Sequence, residues 1–164
     1  MFDAFLKIDG IDGESTDDTH ADWIEIDAFS HGLSQPAAGA PSDRGGRTSG
    51  RVDHSQFTIV KGLDKASPNI ALHCCNGKHI PEVVVELCRA SGDKEKYMEY
   101  KLQDVTIASV RPAGNSNGDG AVPKEEVSFA YGRIDWTYVE TDHATGKPRG
   151  NVQRYWDLQK NQGG

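Results

Sequence analysis

The chain has 164 residues, of which 26% are charged and 36% hydrophobic, and carries a formal charge of −7. That length buries a core without staples, and the composition is not that of a disordered tail. An acidic balance with no clustered Lys and Arg excludes nucleic acid as a partner. Read in chain order, seven segments have the alternating or mixed apolar patterning of strands, separated by Gly, Pro, Asn or Asp. They are Phe2 to Ile8, Trp23 to Phe29, Val52 to Val60, Val83 to Cys88, Tyr97 to Val110, Glu126 to Val139 and Asn151 to Leu158. Seven strands suffice for a barrel or a sandwich. The fifth segment is expected to bend near Asp104. In the sixth, large side chains occur at both parities, so a bulge or a change of packing partner is expected near Gly132.

One segment does not alternate. Ser67 suits an N-cap and Pro68 suits the first helical position, where a missing N–H costs nothing. At about 100° per residue, Ile70, Ala71, Cys74 and Cys75 share a face, which predicts a short buried face on a helix from about Pro68 to Asn76. Gly77 closes it by accepting the left-handed conformation. Two polar stretches interrupt the strands: a loop at about 32–51, too long for a hairpin connection, and a tip at Asn115 to Gly120. With no internal repeat and no linker, one domain covering 1–164 is expected.

Three cysteines, two of them adjacent, make no disulfide framework and point to folding in a reducing compartment, the cytoplasm. Asp3, Lys7 and Asp9 break up the N-terminal apolar stretch, so a signal peptide is not expected. No window reaches the roughly twenty apolar residues that span a bilayer, so membrane insertion is not expected either.

Several groups of residues could carry chemistry. His73, Cys74, Cys75 and His79 are metal-ligand types, but on a helix His73 lies about 100° from Cys74 and about 160° from Cys75, so they cannot converge. Asn115, Asn117, Asp119, Gly120 and Glu126 follow most of a calcium-loop template, yet strands flank them where helices are required; a hairpin tip accounts for the same residues. The acidic turn from Asp9 to Asp18 follows no ligand template. A nucleophile elbow, a phosphate-cradling loop and an H-E-x-x-H helix are all missing from the sequence, which therefore points to no enzyme and no cofactor. Arg44, Arg47 and Arg51 flank glycines and could grip an anion, but the preferred reading is solubilising charge on a mobile arm. Trp23, Trp136, Tyr138 and Trp156 are expected in the core or in a subunit contact.

Two blocks carry a resemblance. The first runs from Phe2 to Gln35 and contains Gly10-Ile11-Asp12-Gly13-Glu14-Ser15, Asp18-Thr19-His20 and Phe29-Ser30 followed by Gly32-Leu33-Ser34-Gln35. The second runs from Lys65 to Pro81, with Ser67-Pro68-Asn69-Ile70 and Asn76-Gly77-Lys78-His79. Together they resemble the haemolysin-coregulated proteins (Hcp), subunits of the type VI secretion inner tube. The resemblance implies a mostly β fold: an antiparallel two-sheet β-barrel with one helix at its side. It also implies a structural subunit that forms hexameric rings stacking into a tube, exported without a signal peptide. The implied partners are other copies of the chain, a spike at the tube tip, a contractile sheath and effector proteins in the lumen. On the same resemblance, ring and tube contacts fall on Gly32, Ser34, Gln35, Arg44, Arg47 and Arg51, and the lumen wall on Ala28 and Ser30. His31 departs from the pattern, since many relatives have Trp there. Two alternatives stand beside this reading: a small-ligand-binding β-barrel, and an effector enzyme using the same fold as a carrier.

Overall fold

The computed structural model describes residues 1–36, 51–90, 92, 94–118 and 120–164. In chain order the elements are β1 (Phe2–Ile8), β2 (Ile24–Ile26), β3 (Ala28–Ser30), β4 (Leu33–Ser34), β5 (Asp53–His54), β6 (Phe57–Gly62), α1 (Ser67–Asn76), β7 (Ile80–Arg89), β8 (Lys96–Ala113), β9 (Lys124–Ala130), β10 (Arg133–Thr141), β11 (Pro148–Asp157) and β12 (Gln162–Gly163). All seven expected strands exist, but three of them are divided. Trp23 to Phe29 is interrupted at Asp27, whose N–H leaves β1's partner strand and donates to the Val60 carbonyl at 2.7 Å. Val52 to Val60 breaks between His54 and Phe57, and Glu126 to Val139 breaks at Tyr131 and Gly132.

Every strand pair is antiparallel. The main path is ordered β12-β11-β10-β8-β7-β1-β2, and a second sheet is ordered β3-β6-β9-β8. The two ends of the main path, β12 and β2, do not pair with each other, so among the described residues the architecture is two sheets sharing β8, a separate two-stranded β4-β5 pair and one helix. At 18 residues β8 is long enough to serve both sheets. It pairs with β7 and β10 up to Val105 and with β9 from Thr106 onward. The bend falls at Asp104, whose φ of 53° is left-handed, at the position the sequence singled out. Gly132 lies against this corner: a Cβ on it would sit 3.1 Å from the Asp104 Cβ. Its N–H donates to the Gln103 carbonyl at 2.9 Å.

The apolar face of each strand points into one core, built from Leu6, Ile24, Phe57, Ile59, Leu102, Val105, Val127, Phe129 and Ile134, all fully buried. Helix α1 packs on β8 and contributes Ile70 to this core. The helix begins one residue earlier than expected. Ala66 takes the cap position without a side-chain hydrogen bond, and Ser67 is the first helical residue. Its hydroxyl accepts from the Asp64 N–H at 3.0 Å and donates to Glu125 Oε1 at 2.7 Å, so it serves the neighbouring strands instead of capping the helix. Gly77 closes the C-terminus with φ 62°. The expected buried face is narrower than its 100° spacing suggested. Ile70 is buried and Cys74 half-buried, but Ala71 and Cys75 are exposed, because a ten-residue helix lying on one strand covers only a single line of side chains. The fully buried cysteine is Cys88.

Lys61 is wholly buried. It shares the core-facing parity of Phe57 and Ile59, and its ammonium pairs with Glu125 Oε1 at 2.5 Å and Asp64 Oδ1 at 2.9 Å, and donates to the Ser67 hydroxyl at 3.1 Å. Glu125 is only 2% exposed, so each charge depends on the other. Removing one member of such a pair costs about 3–5 kcal/mol, whereas replacing both with apolar groups of similar volume is close to neutral. Lys61→Met should therefore destabilise the fold by that amount in urea unfolding, and Lys61→Met combined with Glu125→Leu should recover most of the loss.

Candidate assembly surface

The chain enters the loop at about 32–51 through β4 and leaves it through β5. These strands pair as a two-rung stem, Leu33 opposite His54 and Ser34 opposite Asp53. Gly32 fixes the foot of the stem: its N–H donates to Ser55 Oγ at 2.7 Å and its carbonyl accepts from the Ser55 N–H at 2.9 Å. Arg51, exposed at the returning end, donates to the Leu158 carbonyl at 2.8 Å and so ties the stem to the end of β11. Just before the stem, β3 alternates. Ala28 and Ser30 are exposed while Phe29 turns inward and stacks on Phe57 with ring centroids 5.9 Å apart.

Between stem and core lies a cluster of two histidines and a tyrosine. His31 Nε2 is 2.5 Å and His54 Nδ1 is 2.9 Å from the Tyr131 hydroxyl. A phenol has one proton, so it can donate to only one of these imidazoles; the other must donate its own N–H to the phenol oxygen. His31 also stacks on Phe57, with centroids 5.3 Å apart. Burial pushes the His31 imidazole below its ordinary value, with the neighbouring His54 adding to the effect, and burial alone does the same to His54. Burial pushes the Tyr131 phenol up.

An open cavity of about 420 Å³ lies beside the stem, lined by Leu33, Val52, Trp136 and Trp156 with Arg51 and Gln35 among its polar members. Leu33 is 48% exposed, although it is a large apolar side chain. Apolar and aromatic groups with an arginine at the rim are the composition of a protein–protein contact.

The structure brings Gly32, Ser34, Gln35 and Arg51 together at this stem and sets Ala28 and Ser30 beside it. Arg44 and Arg47 lie outside the described residues. Trp136 and Trp156 pack against the core, as expected of aromatics here, while Tyr138 is 45% exposed. His73 donates within its own helix to the Asn69 carbonyl and His79 faces Asp104, so the His73, Cys74, Cys75 and His79 set does not converge. Asn115 and Asn117 bond to each other in the β8–β9 hairpin, and Asp119 lies outside the described residues. Sequence reasoning missed Tyr131 and His54, which are 100 and 77 residues from their partners' positions. The only signal was Tyr131's place beside the predicted break at Gly132.

Comparison with known proteins follows the same outline. Residues 5–138 match the family described as “Type VI secretion system effector, Hcp”. The chain is 32% identical over 160 residues to Protein hcp1 of Pseudomonas aeruginosa, covering 97% of this chain and 96% of that one. A solved structure of a type six secretion system protein aligns with a TM-score of 0.92 at 33% identity, covering 100% of both chains. Hcp1 from Salmonella typhimurium aligns with a TM-score of 0.80 at 28% identity, covering 99% of each chain.

The histidine cluster has a definite pH signature. His31 and His54 bind protons less readily folded than unfolded, so the unfolded chain takes up more protons as pH falls. Their contribution to stability is complete above the unfolded value of about 6.5 and is lost as pH falls from there through the depressed folded values. Melting temperature should therefore drop between pH 7 and pH 5, and His31→Phe should show a shallower drop than the parent across the same interval.

Proposed function

Because the chain belongs to the Hcp family of the type VI secretion system, secreted structural proteins rather than enzymes, we propose that it is the subunit of a secretion tube. Six copies close into a ring, rings stack, and the tube leaves the cell without a signal peptide after assembly in the cytoplasm. The proposal treats residues 1–164 as one tube-subunit domain and its two sheets as a flattened barrel, since both β8 and the β2–β3 segment pass from one sheet to the other. Spike, sheath and lumenal effectors are the partners of this reading.

The observation that supports it best is the stem at the foot of the 32–51 loop. A ring needs a heterologous contact, in which one surface meets a different one on the next copy, and stacking needs a further surface. The stem offers exposed Leu33, the Trp136 and Trp156 cavity and Arg51 in one place. In this reading Gly32, Ser34, Gln35, Arg44, Arg47 and Arg51 make ring or tube contacts. Ala28 and Ser30, small and exposed on β3, line the lumen, where many weak repeated contacts hold cargo. The core's filled interior favours this reading over a ligand-binding barrel.

Native mass spectrometry or light scattering at tens of micromolar should report six copies, and a monomer alone would defeat the proposal. The lumen assignment has its own test. Ser30 is exposed and its backbone pairs with Thr58, so Ser30→Gln should leave fold and ring intact while lowering retention of a co-expressed effector. Loss of the ring in that variant would make Ser30 an interface residue instead.

A further inference from the structure

On the face of the main sheet turned away from the core, β7 presents Val84, Glu86 and Cys88 at alternate positions. The loop joining β1 to β2 folds over this face. Three backbone hydrogen bonds shape it: Gly13 N–H to the Asp22 carbonyl, Asp22 N–H to the Ser15 carbonyl, and Ser15 N–H to the Trp23 carbonyl. Gly13 is required there, since a Cβ on it would fall 2.3 Å from the Trp23 carbonyl oxygen. The folded loop lays the His20 ring flat on Phe5, with centroids 4.1 Å apart and planes 5° from parallel. The ring's Nε2 edge then faces Glu86 and Cys88.

From this convergence we propose that His20, Glu86 and Cys88 form a binding site for a divalent cation of the zinc class. Nε2 lies 2.6 Å from Glu86 Oε2 and 4.0 Å from Cys88 Sγ, and the three donor atoms all lie within 4.8 Å of one another. A tetrahedral ion bound at about 2.0–2.3 Å needs donors about 3.3–3.7 Å apart. Glu86 therefore has to withdraw by about 0.7 Å and Cys88 to approach by a few tenths, both within the reach of side-chain rotation. One nitrogen, one carboxylate oxygen and one thiolate suit zinc or cobalt; the sulfur is wrong for magnesium or calcium. Three protein donors leave a fourth position for water.

The surroundings are those of a metal-ligating histidine. The other ring nitrogen, Nδ1, is 2.8 Å from Asp17 Oδ2, a carboxylate that orients the imidazole and fixes its tautomer. The hydrogen bond from His20 holds the Asp17 carboxyl below its usual range. His20 and Cys88 are 4% and 0% exposed, so the ion would be shielded, and half-buried Glu86 faces the entry side. Charge balances too: two anionic donors and a dication sum to zero, which a buried site requires. Lys96, 3.4 Å from Glu86, and Lys94, 3.6 Å from Asp17, offset the carboxylates before an ion arrives. Burial first, then Glu86, Asp17 and Asp3, push the Cys88 thiol up to about 11, so the ion must displace its proton. Displacing the thiol proton makes affinity rise with pH.

The test uses full-length protein carrying Cys74→Ser and Cys75→Ser, which removes the other two thiols. Titrated with Co²⁺ at pH 8, it should bind one ion per chain with a thiolate-to-cobalt charge-transfer band, and Zn²⁺ should displace the cobalt. Zn²⁺ calorimetry in buffers of different ionisation enthalpy should show proton release on binding, from the Cys88 thiol. Adding Cys88→Ala should abolish the band; Asp17→Asn should keep it but weaken Zn²⁺ binding by about 10–100-fold. Glu86→Gln gives a second reading should Cys88→Ala fail to fold, and it should weaken binding at least as much. Absence of one-to-one binding, or binding unchanged in Cys88→Ala or in Glu86→Gln, would reduce the cluster to a histidine clamped between two carboxylates that pins the loop.

Discussion

One crowded corner sets the positions of most other parts. β8 can leave one sheet and join the other only if its backbone turns at Asp104, and Gly132 lies so close to that turn that a side chain there would press on Asp104. The same close approach directs β9 and β10 into different sheets. Tyr131, the residue before Gly132, is thereby fixed at the seam, where its hydroxyl reaches histidines from both sides of the loop stem. Leu158 donates to the Gly132 carbonyl at 2.8 Å, so the end of β11 is held at the same point, and with it the carbonyl that anchors Arg51. The stem's geometry thus follows from a steric constraint two elements away.

Local chemistry was legible in the sequence wherever it was local in space as well. The helix's closing glycine and the bend at Asp104 come from short-range conformational preference. The misreadings have a different source. Ser67 looks like a cap until Glu125, 58 residues away, competes for its hydroxyl. Cys75 sits at helical spacing from Ala71, but a short helix on one strand leaves it exposed. A readable signal was nevertheless present at the buried pair. Lys61 falls on the parity of Phe57 and Ile59, and Glu125 on that of Val127 and Phe129. A lone charge in core register needs a partner, and two such misfits of opposite sign imply each other. The family-level blocks carried the identity of the fold, whereas periodicity alone stopped at “mostly β”.

The two histidine clusters use opposite electrostatics. His20 is bracketed by two carboxylates, Asp17 and Glu86. His31 and His54 share a neutral phenol, and acid places two cations whose ring centroids are 6.4 Å apart with nothing negative between them.

The strand order also dictates when the molecule can form. β1 pairs with β7, β6 with β9, and β10 with β8, so the N-terminal strand waits for a partner about half a chain away, and the second sheet is incomplete until β9 has emerged. Such non-local pairing slows folding, because loop closure must precede the contacts that reward it. During synthesis β1 can pair only with β2, its other edge staying open until β7 appears, and only the completion of β7 and β8 gives the core two walls. Production of this protein is therefore governed by a late, cooperative collapse, during which unpaired strand edges are exposed to one another across neighbouring nascent chains.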